Sequence, residues 1–226
     1  MLIFHLKPLV SAIFSLLAIL ALILAFVMLG SHWVKNHIYA FAAESWVIAA
    51  LSAVIGVYGH YTELLFIAVL TALLRGSLLP YMLLRIVKEL KQSREFTPLL
   101  QPASSMVLGG LLVLFSFALA HRLSVRMQLA DSIAVLALTT MFALKLIGFL
   151  MLVLRAEAVS AILGLLVIEN GIFLGSQILV PGMPLLLELV ILFDLLIIVS
   201  TFGLLIRYLH RELGTTSSRE LTRLVG

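Results

Sequence analysis

The sequence predicts an all-α fold, a polytopic membrane bundle of about seven transmembrane helices with the N-terminus outside and the C-terminus in the cytoplasm. Three observations carry that expectation. Of 226 residues, 63% are hydrophobic and 12% charged, against about 25% charged in a soluble domain. The apolar residues come in long runs, each near the ~20 residues needed to cross a ~30 Å hydrocarbon layer. The basic residues, finally, divide unevenly between the two ends of those runs. Mean hydropathy is +1.22.

The elements follow in order. The first run, 9–30, comes after Lys7; it exceeds a typical signal-peptide core, so it reads as a retained helix. The second and third runs are 41–59 and 62–85. A polar stretch, "RIVKELKQSREFTPLLQP" from Arg85 to Pro102, is the candidate linker. Four further runs follow it, at 104–120, 132–154, 157–180 and 184–207. Helices are the expected form because backbone polar groups in lipid must be satisfied within the segment. The chain divides into an N-terminal three-helix part (1–90), a cytoplasmic loop (91–103), a connecting helix with an outer loop (104–130), a second three-helix part (131–211) and a cytoplasmic tail (212–226).

With seven spans, ten lysines and arginines between Lys35 and Arg223 fall on one side, and Lys7, Arg122 and Arg126 on the other. The richer side is assigned to the cytoplasm. Trp33, Tyr39, Trp46, Tyr58 and Tyr61 lie near predicted helix ends, as an interfacial aromatic belt requires. The pI of about 9.6 reflects loop charge and implies no nucleic-acid partner. The chain has no cysteine, which excludes disulfides, iron–sulfur ligation and thiolate zinc sites. All six histidines fall at the ends of apolar runs, where they do not suit axial haem ligation. No cofactor is expected in this chain.

Two of the fifteen basic residues remain inside the runs, Arg75 and Lys145, together with Glu169 and Asp194. At 1.5 Å per residue all four lie near the middle of their helices. Glu44 is expected to be shallow on the cytoplasmic side, Glu63 and Glu188 on the outer side. Each midplane charge costs at least about 2.5–3.5 kcal/mol on insertion scales. One reading is structural: acids and bases pair and hold helices together, with Lys145 approaching Glu169 or Asp194. The other is a relay in which ionisable groups at one depth pass protons through bridging water. Ser160, Gly164, Gly171 and Gly175 form one stripe for close helix packing. Glu169 stands about 160° from Gly171 around the helix, and Asn170 lies on an adjoining face.

Pro80 crowds the carbonyl of Gly76. This predicts either a plain kink or a helix break that exposes carbonyls beside Arg75. Arg75 and Lys145 each precede an arginine, Arg85 and Arg155, by ten positions, a spacing that hints at an internal repeat.

The stretch "LLVIENGIFLGSQILVPGMPLLLELVILFDLLIIVSTFGLLIRYLHRELGTTSSRELTRLVG" resembles the C-terminal part of the hydrogenase-4 component E family, membrane subunits of formate hydrogenlyase-type group 4 nickel–iron hydrogenases. The matching features are Glu169-Asn170-Gly171, Glu188, Asp194 and the terminal "LTRLVG"; "AAESWVIAAL" and "ALLRGSLLP" also look alike, with Arg75 where that family leads one to expect Lys. Within the family the last three helices resemble the K subunit of respiratory complex I. The resemblance implies that Glu169 is the first membrane carboxylate of a proton path, and that Asp194, by depth, or Glu188, by identity, is the second. It implies antiporter-like membrane subunits, other hydrogenase membrane subunits and lipid as neighbours. The nickel–iron centre and iron–sulfur clusters would belong to soluble partner subunits. Lys145, Arg75, Glu44 and Asn170 complete the proton-path candidates. Two other readings stay open: a non-conducting adaptor between antiporter-like subunits and the hydrogenase arm, and a component of a cation/proton antiporter complex.

Overall fold

A computed structural model of the chain describes residues 8–89, 100–128, 132–155 and 158–179, together with 193, 200, 203, 204 and 208. Among the described residues the regular structure is wholly helical: α1 (Pro8–Gly30), α2 (Val34–Gly59), α3 (Thr62–Leu73), a π-helical turn (Leu74–Leu78), α4 (Leu79–Glu89), α5 (Pro102–Arg126), α6 (Ser132–Leu154) and α7 (Ala158–Leu179). α3, the π turn and α4 form one continuous rod. Counting that rod once, six helices among the described residues are long and apolar enough to cross a membrane. The protein is therefore helical and membrane-embedded in character.

Local chemistry explains the boundaries. α1 and α5 open on Pro8 and Pro102, where the missing N–H is an orphan donor in any helix. α2 closes at His60, whose φ of 58° is left-handed, while the N–H groups of His60 and Tyr61 both reach the Gly56 carbonyl. That turns the chain tightly into α3.

One boundary changes two expected depths. α2 begins at Val34, not near residue 41, so Glu44 is ten residues, roughly 15 Å, inside the helix rather than shallow. Trp46 is likewise mid-helix and not part of a belt at the helix ends.

The π turn resolves the two readings of Pro80. The helix is not broken open: it passes Pro80 through a π-helical turn. The Leu79 N–H bonds to the Leu74 carbonyl, five residues back, and the Ser77 hydroxyl donates to the Ala72 carbonyl at 3.2 Å. One extra residue per turn lets the chain pass a proline that cannot donate and remain helical.

α1 packs on α2, α5 and α6; α2 packs on α3, the π turn, α4 and α7; α6 packs on α7. Helices from both sides of the 91–103 segment thus share one bundle. The α6–α7 contact is the close one predicted from the glycine stripe. A Cβ at Gly148 would stand 2.7 Å from the Gly164 carbonyl oxygen, and one at Gly171 would stand 3.1 Å from the Met141 carbonyl oxygen. Neither position has room for a side chain without parting the backbones.

The hairpins α1–α2 and α6–α7 lie side by side and run the same way. α1 and α6 each have 23 residues, and the next helix in each hairpin, α2 or α7, packs back against it. The ends of α1 and α6 meet directly: Arg155 Nη2 donates to the carbonyls of Met28 (3.2 Å), Leu29 (2.8 Å) and Ser31 (3.2 Å). The last carbonyls of α1, orphaned in any helix, are closed by a cation. His37 Nε2 lies 2.9 Å from the same Ser31 oxygen.

Candidate functional site

Four buried polar side chains, Ser45 and Ser52 on α2 and Asn170 and Gln177 on α7, meet along the seam between those helices. Two hydrogen bonds span it. Asn170 Nδ2 donates to Ser45 Oγ at 3.4 Å, and Gln177 Nε2 donates to Ser52 Oγ at 2.6 Å. Both pairs are 125 residues apart in sequence and lie seven residues apart on each helix. Parallel helices in register produce that pattern, because positions i and i+7 return to the same face.

The π turn delivers a charge to this seam. Arg75 is fully buried, donates from Nη1 to Asn170 Oδ1 at 3.1 Å, and lies with its guanidinium carbon 5.3 Å from the Phe173 ring centroid. Stacking on an aromatic face suits a weakly hydrated, planar cation away from water. Gly76 keeps the turn close to α2: a Cβ there would stand 2.8 Å from Trp46 Nε1.

Helix geometry sorts the remaining groups to the two sides of the seam. Successive residues step about 100° around a helix. Gly171, one step beyond Asn170, faces Leu144 and Lys145 of α6, and Trp46, one step beyond Ser45, faces Gly76 in the π turn. Glu44, one step before Ser45, therefore points to the side enclosed by α1 and α6. Glu169, one step before Asn170, points to the side of the π turn. Their exposures agree, since Glu44 is fully buried and Glu169 half-buried. Asn170 sits between them. It approaches the Glu44 carboxyl, yet neither carboxyl oxygen gains a hydrogen bond of regular geometry among the described residues. A buried polar group left in that condition needs an explanation.

Of the residues singled out in the sequence, the structure brings Glu44, Arg75 and Asn170 together, with Glu169 one position away on the other flank. Lys145 is half-buried on α6, its Cγ 3.2 Å from where a Gly171 Cβ would be. No ion pair joins Lys145 to Glu169 among the described residues. Lys145 covers the glycine face, and Glu169 projects from the opposite one. Glu188 and Asp194, and with Asp194 the other pairing expected of Lys145, lie outside the described residues.

Sequence reasoning missed Ser45, Ser52, Gln177 and Phe173. A signal for three of them was present: Ser45 with Ser52, and Asn170 with Gln177, are polar pairs seven apart within apolar runs. Only partner helices in register turn that spacing into a seam.

No family model and no solved structure matches the chain. The chain is similar to Uncharacterized protein Rv0085 of Mycobacterium tuberculosis (strain ATCC 25618 / H37Rv), with 32% identity over 184 residues that cover 80% of this chain and 82% of that protein.

Proposed function

The chain belongs to the family of that mycobacterial protein, and we propose that it is a membrane-arm subunit of a group 4 nickel–iron hydrogenase, of formate hydrogenlyase or hydrogenase-4 type, or of a related complex I-like assembly. It sits in the cytoplasmic membrane and contributes buried carboxylates and bases to a proton path coupled to redox chemistry in partner subunits. The sequence resemblance at Glu169-Asn170-Gly171 suggests the assembly. One observation supports the proton path: Arg75, Asn170 and Ser45 are joined by hydrogen bonds, with Glu44 alongside, midway along membrane-length helices.

A structural pairing of acid with base would satisfy each charge in a fixed contact. Glu44 and Glu169 are not used in that way among the described residues. Carboxyl groups without a locked counter-ion can exchange protons with water or neighbouring hydroxyls, as a path requires. The non-conducting adaptor is the second reading. It is favoured by α5, which leaves most of its apolar surface uncovered for lipid or a neighbouring membrane helix.

Two measurements decide. Purification of the tagged chain from its native membrane should bring a large nickel–iron subunit with it; its absence removes the hydrogenase reading. In sealed vesicles, Glu169→Gln should abolish proton movement while redox turnover continues. Full coupling in that variant leaves the adaptor.

A further inference from the structure

The seam between α2 and α7 has two rungs, and they differ chemically. At the upper rung Ser52 is saturated: its hydroxyl donates to the Ile48 carbonyl at 2.9 Å and accepts from Gln177. That rung is a fastener. At the lower rung Ser45 accepts from Asn170, and its own hydroxyl proton is not committed to a carbonyl of its helix. A hydroxyl that accepts on one side and donates on the other can hand a proton on.

The lower rung also separates two carboxyl groups. Glu44 and Glu169 each stand one residue before a rung residue on helices that run parallel and in register. They are therefore at one level, and the common step of about 100° turns them to opposite sides of the seam. The Glu44 side is enclosed by α1 and α6; the Glu169 side carries Arg75 and the π turn. Asn170 touches Arg75 on one side and approaches Glu44 on the other.

We propose that Glu44 and Glu169 are a matched pair of proton-carrying groups supplied by the two hairpins, and that the Ser45–Asn170 rung between them is where a lateral proton path crosses the α2–α7 seam. The proposal rests on the reading of the chain as a proton-handling subunit, and adds to it the second carboxylate and the crossing point. The step balances without any redox partner. A proton leaves the carboxyl on one side, the Ser45 hydroxyl passes its own proton onward as it takes up the arriving one, and the carboxyl on the far side receives one. Ser45 ends unchanged, and a single unit of charge has crossed. Asn170 holds the hydroxyl in place and ties it to Arg75, whose positive charge stabilises whichever carboxyl is ionised. The upper rung keeps the helices in register, so the crossing stays aligned.

The test uses the assembled complex in sealed vesicles, with proton movement and redox turnover followed together. Glu44→Gln should lose proton movement as completely as Glu169→Gln does, while redox turnover persists. Ser45→Ala should lower the protons moved per turnover, and Ser45→Thr, which keeps the hydroxyl, should restore them. Glu44→Gln with full proton movement beside an inactive Glu169→Gln overturns this inference and leaves the proposed function standing. Full movement in Glu169→Gln removes the proposed function itself. The register is tested separately from activity. The chain has no cysteine, so pairs can be introduced cleanly at each rung. Ser45→Cys with Asn170→Cys, and Ser52→Cys with Gln177→Cys, should cross-link under mild oxidation, whereas Ser45→Cys with Gln177→Cys should not. Cross-linking of the staggered pair alone would place the two carboxylates at different levels and overturn the proposal, even if the Glu44 variant failed to assemble.

Discussion

Arg155 closes the end of a helix that begins more than a hundred residues before it: its Nη2 lies 2.8 Å from the Leu29 carbonyl oxygen, with the Met28 and Ser31 carbonyls at 3.2 Å. The contact joins the ends of α1 and α6 and holds the two parallel hairpins at one height. Arg155 is nearly buried, so no water replaces it readily if it is removed.

Replacing Arg155 should therefore cost stability. Arg155→Met is expected to destabilise the chain by about 1.5–3 kcal/mol, the range for losing a hydrogen bond to a charged group. Arg155→Lys should fall between, because a point charge cannot reproduce the guanidinium fork. Thermal unfolding in detergent micelles measures both. Equal melting of all three proteins would show that other groups satisfy the end of α1.

The α6–α7 contact predicts a sharp contrast between two glycines. Gly148→Val should destabilise by about 1–3 kcal/mol, since its side chain would meet backbone atoms of α7 that cannot give way. Gly110 on α5 has nothing within 4 Å of its Cβ position, so Gly110→Ala should leave the melting temperature unchanged or raise it slightly. The comparison is internal, and the same detergent assay serves.

Arg75 and Asn170 should behave as a coupled pair. In a cycle of Arg75→Met, Asn170→Leu and the double variant, the coupling should be about 1.5–3 kcal/mol, as for a hydrogen bond to a charged group. Additive losses would mean that the 3.1 Å contact contributes nothing of its own.

The proposed orientation is open to a direct check. Reporter fusions after residue 226 and within 181–183 should report opposite sides of the membrane, with residue 226 in the cytoplasm. The same side for both would exclude a seventh span between them.

Much of this protein is legible in the sequence, and the reason is the solvent. A hydrocarbon layer forces backbone groups to pair locally, so apolar runs of sufficient length had to be helices, and six of the seven expected runs correspond to described helices. The glycine stripe on α7 was readable too, because small residues at helical spacing let two helix backbones approach closely. Pro80 marked an irregularity correctly, but its form depended on the i to i+5 bond that the chain closed around it.

What the sequence by itself determined was therefore membrane character, helix placement and the list of costly polar residues. Only the tertiary structure decided which of them meet. Glu169 stood out because a carboxylate is conspicuous in an apolar run. Ser45, Ser52 and Gln177 did not, since a lone hydroxyl or amide in a helix can bond to its own backbone and carries little warning of a partner. Lys145 and Glu169 had the depths of an ion pair, yet the rotation of α7 against α6 sends them to different faces. Depth follows from counting residues along one helix at 1.5 Å each. Which faces meet follows from how two helices pack, and for this site that relation joins side chains 95 to 125 residues apart in the chain.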